Sequence, residues 1–153
     1  MSSPLVDRME PHAETIFATM SALAVEHDAI NLGQGFPDTD GPAEVLEAAR
    51  AAVAAGHNQY PPMPGVPALR EAIAAKVEAL YGRRYDAASE ITVTAGATQA
   101  LLTAILCTVH PGDEVIVIEP AYDCYAPAIA LAGGVVAPVA MRFDEAGFSV
   151  PWD

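Results

Sequence analysis

The sequence predicts an α/β domain, and three observations carry that expectation. Residues 90–125 run as a β-branched apolar stretch, a turn of small residues, a helical pattern, a second turn and a second apolar stretch. Strand, helix and strand in that order build a parallel βαβ unit with a right-handed crossover. Helical periodicity recurs in three further stretches ahead of it, and the hydrophobic content of 52% over 153 residues is enough for one domain with a core.

Taken in order, residues 1–12 read as an irregular arm. From Glu14 to Glu26 the residues Ile16, Phe17, Met20, Leu23 and Ala24 fall on one side of a helix. A short extended segment, 29–32, runs into Gly33-Gln34-Gly35-Phe36-Pro37-Asp38, where two glycines and a proline exclude regular structure and expose backbone. Such a loop is either a plain connection or a place where a ligand approaches the main chain. The next helix covers Ala43 to Ala55, with Pro42 suited to its first turn and Gly56 ending it. The stretch from His57 to Gly65 is an irregular loop in which Asn58 and Tyr60 serve either structural hydrogen bonding or a site. Pro67 opens a helix to about Tyr81 with Leu69, Ile73, Val77 and Leu80 as its buried stripe. Lys76, the only lysine, lies at the edge of that stripe and reads as solvated, as do the adjacent Arg83 and Arg84.

The βαβ unit follows. Ile91 and Val93, with the threonines between and after them, suit a pleated strand. Ala95-Gly96-Ala97 makes the turn, and Gly96 tolerates a positive φ. From Thr98 the helix carries Leu101, Leu102, Ile105, Leu106 and Val109, with Cys107 as a buried thiol, and Pro111-Gly112-Asp113 ends it. Glu114 to Glu119, EVIVIE, reads as a strand buried on both faces. Tyr122 to Leu131 is helical, with Pro127 marking a first turn or a kink, and Gly133-Gly134 closes it. Val135 to Ala140 is a third strand. Met141 to Asp153 reads as a loop leading into another helix, with Asp153 as its cap. The turn at Gly96 carries the chemistry: a helix entered through small residues presents backbone N–H groups and the positive end of its dipole, which suits phosphate. The competing account is that small residues merely let helix and strand pack closely.

Composition narrows the function classes. Seven basic against twenty acidic residues leave a formal charge of −13, which argues against nucleic acid or an anionic membrane as partner. No apolar run is long enough to span a bilayer, and the N-terminal residues lack the apolar core of a secretory signal, so the expected compartment is the cytoplasm. Cys107 and Cys124 make no disulfide framework, and none of the four histidines has metal-ligand spacing to another His or to Cys, so no metal site is expected. The turn lacks the Gly-Lys-Ser/Thr of a P-loop and the third glycine of a dinucleotide fingerprint.

Four stretches, NLGQGFPD at 31–38, NQYPPMPGVPALREAIA at 58–74, VTAGATQAL at 93–101 and EPAYDCY at 119–125, occur in this order and spacing. By them the chain resembles the N-terminal part of the class I/II pyridoxal-phosphate-dependent aminotransferases of fold type I, in the branch of the kynurenine, methionine and N-succinyldiaminopimelate aminotransferases. The match runs from about residue 12 to the last residue. The resemblance implies a three-layer αβα architecture seen as an incomplete N-terminal portion, with 1–42 as arm and small-domain segment and 43–153 as the first part of the large cofactor-binding domain. It implies pyridoxal 5′-phosphate as cofactor. The amides of Gly96, Ala97 and Thr98 hold its phosphate, Tyr122 stacks on its ring, Tyr60 reaches the phosphate of the neighbouring subunit of a homodimer, and the main chain of Gly35 lies against the substrate.

The implied reaction moves an amino group between an amino acid and a 2-oxo acid; the amino acid is methionine-like, aromatic or kynurenine-like, or succinyl-diaminopimelate, and a β-lyase variant shares the fold. In the family the imine-forming lysine, the aspartate at the ring nitrogen and the carboxylate-gripping arginine all follow the region matched here. Lys76 does not match that lysine, because its helix precedes the phosphate turn, so no catalytic residue is expected in this chain. The alternative is a non-catalytic truncated product, or half of a split protein that needs a C-terminal partner.

Overall fold

The computed structural model describes residues 14–35, 37 and 39–152; the expected arm at 1–12 and the Asp153 cap lie outside the described residues. The chain forms two compact units, one of Met1–Gly35 with Ala95–Asp153 and one of Phe36–Thr94.

The first unit holds helix α1, Ile16–Glu26. It starts where Thr15 Oγ1 accepts the N–H of Ala18 at 3.2 Å, a side-chain cap that satisfies one of the helix's unpaired first-turn donors. In the second unit, α2 spans Ala43–Ala54 and α3 spans Pro67–Tyr81. Proline at the first position starts α3 and Gly82, left-handed at φ 65°, ends it. Both helices sit within a residue of their expected bounds. Their burial is shallower than the expected stripe: Ile73 and Val77 are half-buried, while Leu69 and Leu80 are exposed.

Back in the first unit, α4 spans Ala97–Thr108, β1 spans Glu114–Glu119, α5 spans Tyr125–Ala132 and β2 spans Val135–Ala140. Strands β1 and β2 pair in parallel from Glu114 with Val135 to Glu119 with Ala140, and α5 is their crossover. Pro138 lies opposite Val117, which suits β2 to a sheet edge because proline donates nothing to a ladder. The core is where the sheet meets α5: Val117, Ala128 and Ile129 are the buried apolar residues.

The βαβ unit therefore falls one element later than expected. Residues 91–94 join no ladder, because no strand lies beside them among the described residues; the N–H of Val93 instead donates to Pro64 O at 2.9 Å. EVIVIE is also not buried on both faces. Val117 points into the core, but Ile116, on the other face of the pleat, is 71% exposed, because the helical layer covers one side only. Cys107, on α4, is likewise exposed rather than buried.

The expected loop after residue 141 contains a hairpin, β3 Arg142–Asp144 with β4 Gly147–Ser149. Asp144 Oδ1 accepts the N–H of Ala146 at 2.8 Å to close its turn, and Phe143 and Phe148 pair across it at 4.8 Å between ring centroids. The signal was present as two aromatics flanking Asp-Glu-Ala-Gly.

Candidate functional site

The entrance to α4 is open and carries no acidic side chain in its first turn. Gly96 is the residue before the helix, at φ 85° and ψ 171°. A side chain there would be strained by the backbone, and an added Cβ would meet no atom within 4 Å, so the space ahead of the helix is open. Ala97 and Thr98 occupy the first turn, where backbone N–H groups have no helical carbonyl behind them, and no acidic residue stands in that turn to repel an anion. Gln99 completes the device. Its Oε1 accepts the N–H of Ala95, so the side chain three residues into the helix reaches back over the turn and fixes it. Sequence reasoning missed Gln99, although a glutamine three residues after the N-cap is a recognisable signal.

Thr98 and Tyr122 come together on one cavity of about 430 Å³, in a wall that also includes Phe17 of α1, Leu102, Cys124 and Pro127. Tyr122 is half exposed, at 50%, and its ring lies 6.2 Å from that of Phe17 and 6.1 Å from that of Tyr125, centroid to centroid. It also borders a second cavity of about 670 Å³, lined in part by Val117, Glu119 and Met141. The Glu119–Pro120 peptide before it is cis. Burial, and after it the negative charge of Asp123, push the Cys124 thiol above its ordinary value.

Two further expected residues lie elsewhere. Gly35 is exposed at the end of the segment after α1 and lines neither cavity. Ahead of it Asn31 anchors the segment: its Nδ2 donates to Ser21 Oγ at 3.3 Å, and its Oδ1 accepts the N–H of Gly33 at 3.0 Å. Tyr60 belongs to the second unit and is 98% exposed. Its loop is built from within: Asn58 Nδ2 donates to Val53 O at 3.1 Å, and Gln59 Nε2 donates to Asn58 Oδ1 at 3.0 Å. Asn58 is thus a structural anchor. Gly65, at φ 102°, lets the loop pass Val93 so closely that a Cβ would sit 2.6 Å from its Cγ2.

A helix N-terminus and an exposed aromatic ring on one cavity offer donors to an anion and a face to a flat aromatic group. Lys76, on α3, is exposed. Among the described residues no group of His, Cys, Asp and Glu is arranged to hold a metal ion, and no helix is long and apolar enough to cross a membrane.

Residues 27–151 match the profile of the aminotransferase class I and II family, and the chain belongs to that family. It is 55% identical over 153 residues to methionine aminotransferase of Escherichia coli (strain K12), covering 99% of this chain and 39% of that protein. It is 51% identical over 148 residues to the probable N-succinyldiaminopimelate aminotransferase of Mycobacterium tuberculosis (strain H37Rv), covering 97% and 37%. The solved N-succinyldiaminopimelate aminotransferase of Mycobacterium tuberculosis superposes with a TM-score of 0.90 at 50% identity, over 96% of this chain and 38% of that one. The architecture is therefore that of the fold type I transferases. The chain spans about two fifths of the length of the curated relatives it matches, and the part matched is their N-terminal part.

Proposed function

We propose that this chain supplies the phosphate-holding turn and the ring-stacking face of a pyridoxal 5′-phosphate-dependent aminotransferase that exchanges an amino group between an amino acid and a 2-oxo acid. The observation that carries the reading is the meeting of Thr98 and Tyr122 on one cavity, beside the open turn at Gly96. The amides of Gly96, Ala97 and Thr98 bind the phosphate, charge-assisted by the helix dipole. The Tyr122 ring fixes the plane of the pyridine and keeps water off one of its faces. When bound, the cofactor supplies an electron sink for the substrate's α-carbon. Gly35 offers main chain to the substrate without a side chain in the way.

Tyr60, bare in its own unit, reaches the phosphate of a second copy in a homodimer. No proton-transfer step is assigned to residues of this chain; Lys76 is a solvated helix residue. Residues 1–42 serve as arm and small-domain segment and 43–153 as the first part of the large domain, in a cytoplasmic enzyme.

The test takes the natural polypeptide that contains these residues, adds pyridoxal 5′-phosphate, and follows 2-oxo acid formation. The amino acids offered are methionine, phenylalanine, kynurenine and N-succinyldiaminopimelate, with 2-oxoglutarate as acceptor. Cofactor uptake with turnover of at least one of them is expected. No uptake would overturn the reading. Uptake without turnover, from a polypeptide whose intact mass matches 15.9 kDa, would favour the non-catalytic or split-protein alternative.

A further inference from the structure

Tyr122 lies in the irregular segment between β1 and α5, so no ladder or helix fixes its side chain. Two rings do. Phe17 meets it tilted by 45°, and Tyr125 meets it near edge-on at 69°. The two neighbours differ in place. Phe17 is part of the cavity wall, whereas Tyr125 lines neither of the cavities that Tyr122 borders. Tyr125 is instead the first residue of α5, and its N–H donates to Tyr122 O at 3.2 Å, closing a turn that brings the two rings to the same side. Its ring is half-buried, while that of Tyr122 is exposed.

We propose that Tyr125 is a positioning residue. Its ring, anchored at the start of α5, holds the Tyr122 ring at the angle that offers a face to a planar aromatic ligand. The physical basis is the quadrupole of the two rings: an edge-to-face pair has a preferred orientation, which an aliphatic side chain of similar bulk does not impose. The ring makes the contact, so the hydroxyl is dispensable. The inference rests on the reading of Tyr122 as the stacking residue.

The test uses the natural polypeptide in its cofactor-free form and pyridoxamine 5′-phosphate as probe, because its amine forms no imine with a lysine and its binding reports non-covalent contacts, against which each variant is compared with the parent. Affinity is read by fluorescence titration and ring orientation by the induced circular dichroism of the bound probe. Tyr122→Ala is expected to weaken binding about tenfold or more. Tyr125→Leu should weaken it by about two- to tenfold and shrink the induced signal, the span set by the strength of one aromatic pair. Tyr125→Phe should restore both. If Leu at this position impairs folding, Tyr125→Met keeps the bulk without the ring and the same outcomes apply. Unchanged binding in Tyr125→Leu beside weakened binding in Tyr122→Ala would overturn the positioning role alone. Equal losses in the Leu and Phe variants would overturn it in favour of the hydroxyl. Unchanged binding in Tyr122→Ala would overturn the stacking reading itself.

Discussion

Tyr122 and Tyr60 both stand on irregular segments next to prolines, and the two segments hold their tyrosines in opposite ways. Tyr122 is gripped by its own unit, between Phe17 and Tyr125 and over two cavities. Around Tyr60 the loop is tied down at Asn58, Gln59 and Gly65 by hydrogen bonds, while the tyrosine, like Met63, is left 98% exposed. Ordering a chain costs on the order of 1–2 kcal/mol per residue, so a rigid loop presenting a bare aromatic suits a group that completes its contacts elsewhere. The first segment packs its tyrosine within one unit; the second leaves its tyrosine outward.

The largest effect should come from breaking the support under Tyr60. Gly65→Ala puts a Cβ 2.6 Å from Val93 Cγ2 and 2.8 Å from Val93 Cβ, at a backbone φ of 102°. Valine cannot rotate its branch away cheaply, so strain and clash act together. A loss of about 3 kcal/mol is expected in denaturant unfolding of the natural polypeptide. A loss below about 0.5 kcal/mol would mean that the loop is not rigid and the contrast is false.

In the first unit the corresponding position is Gly96, and there the balance differs. Its φ of 85° disfavours alanine, but nothing stands within 4 Å of the new Cβ. Gly96→Ala should therefore cost the backbone strain alone, about 1–3 kcal/mol of stability, with the greater loss in pyridoxal 5′-phosphate affinity, since the methyl group enters the space proposed for the phosphate. An affinity loss smaller than the stability loss would move the phosphate away from this turn.

The two segments were not equally legible. Local signals reached far: proline and glycine punctuation located α2 and α3, β-branched runs located β1 and β2, and Gly96 marked the turn into α4. The failures share one cause, which is that burial depends on what packs against an element rather than on the element. EVIVIE looks like a doubly buried strand, but one of its faces is exposed because only one face of the sheet carries a helical layer, and Cys107 looks like core but lies exposed on α4. Residues 91–94 have strand chemistry but no partner strand among the described residues. Phe17 was placed correctly on a helical face, yet its position against Tyr122 depends on tertiary packing that helical periodicity does not encode. Tyr125 was visible three residues after Tyr122, but its ring contact depends on a turn whose closure the sequence does not state.

The smallest expected effect concerns a charge in the second unit. Asp86 is fully exposed, yet the Ser89 hydroxyl, then the Ala88 N–H at 3.0 Å, and more weakly the charge of Arg70, hold its carboxyl below the ordinary value of 3.8. Because the folded form binds its proton less readily than the unfolded form, the stabilisation is complete above the ordinary carboxylate range and is lost as pH falls through the folded value. Ser89→Ala removes the largest of these causes. The Asp86 carboxyl resonance should then titrate at higher pH, nearer 3.8, and unfolding stability should fall less steeply with acid over that window. The cavities around Tyr122 lie in the other unit, so cofactor affinity at neutral pH should not change. An unaltered Asp86 titration in Ser89→Ala would show that the serine does not hold the carboxylate. A parallel loss of cofactor affinity would show that a change in the second unit reaches cofactor binding.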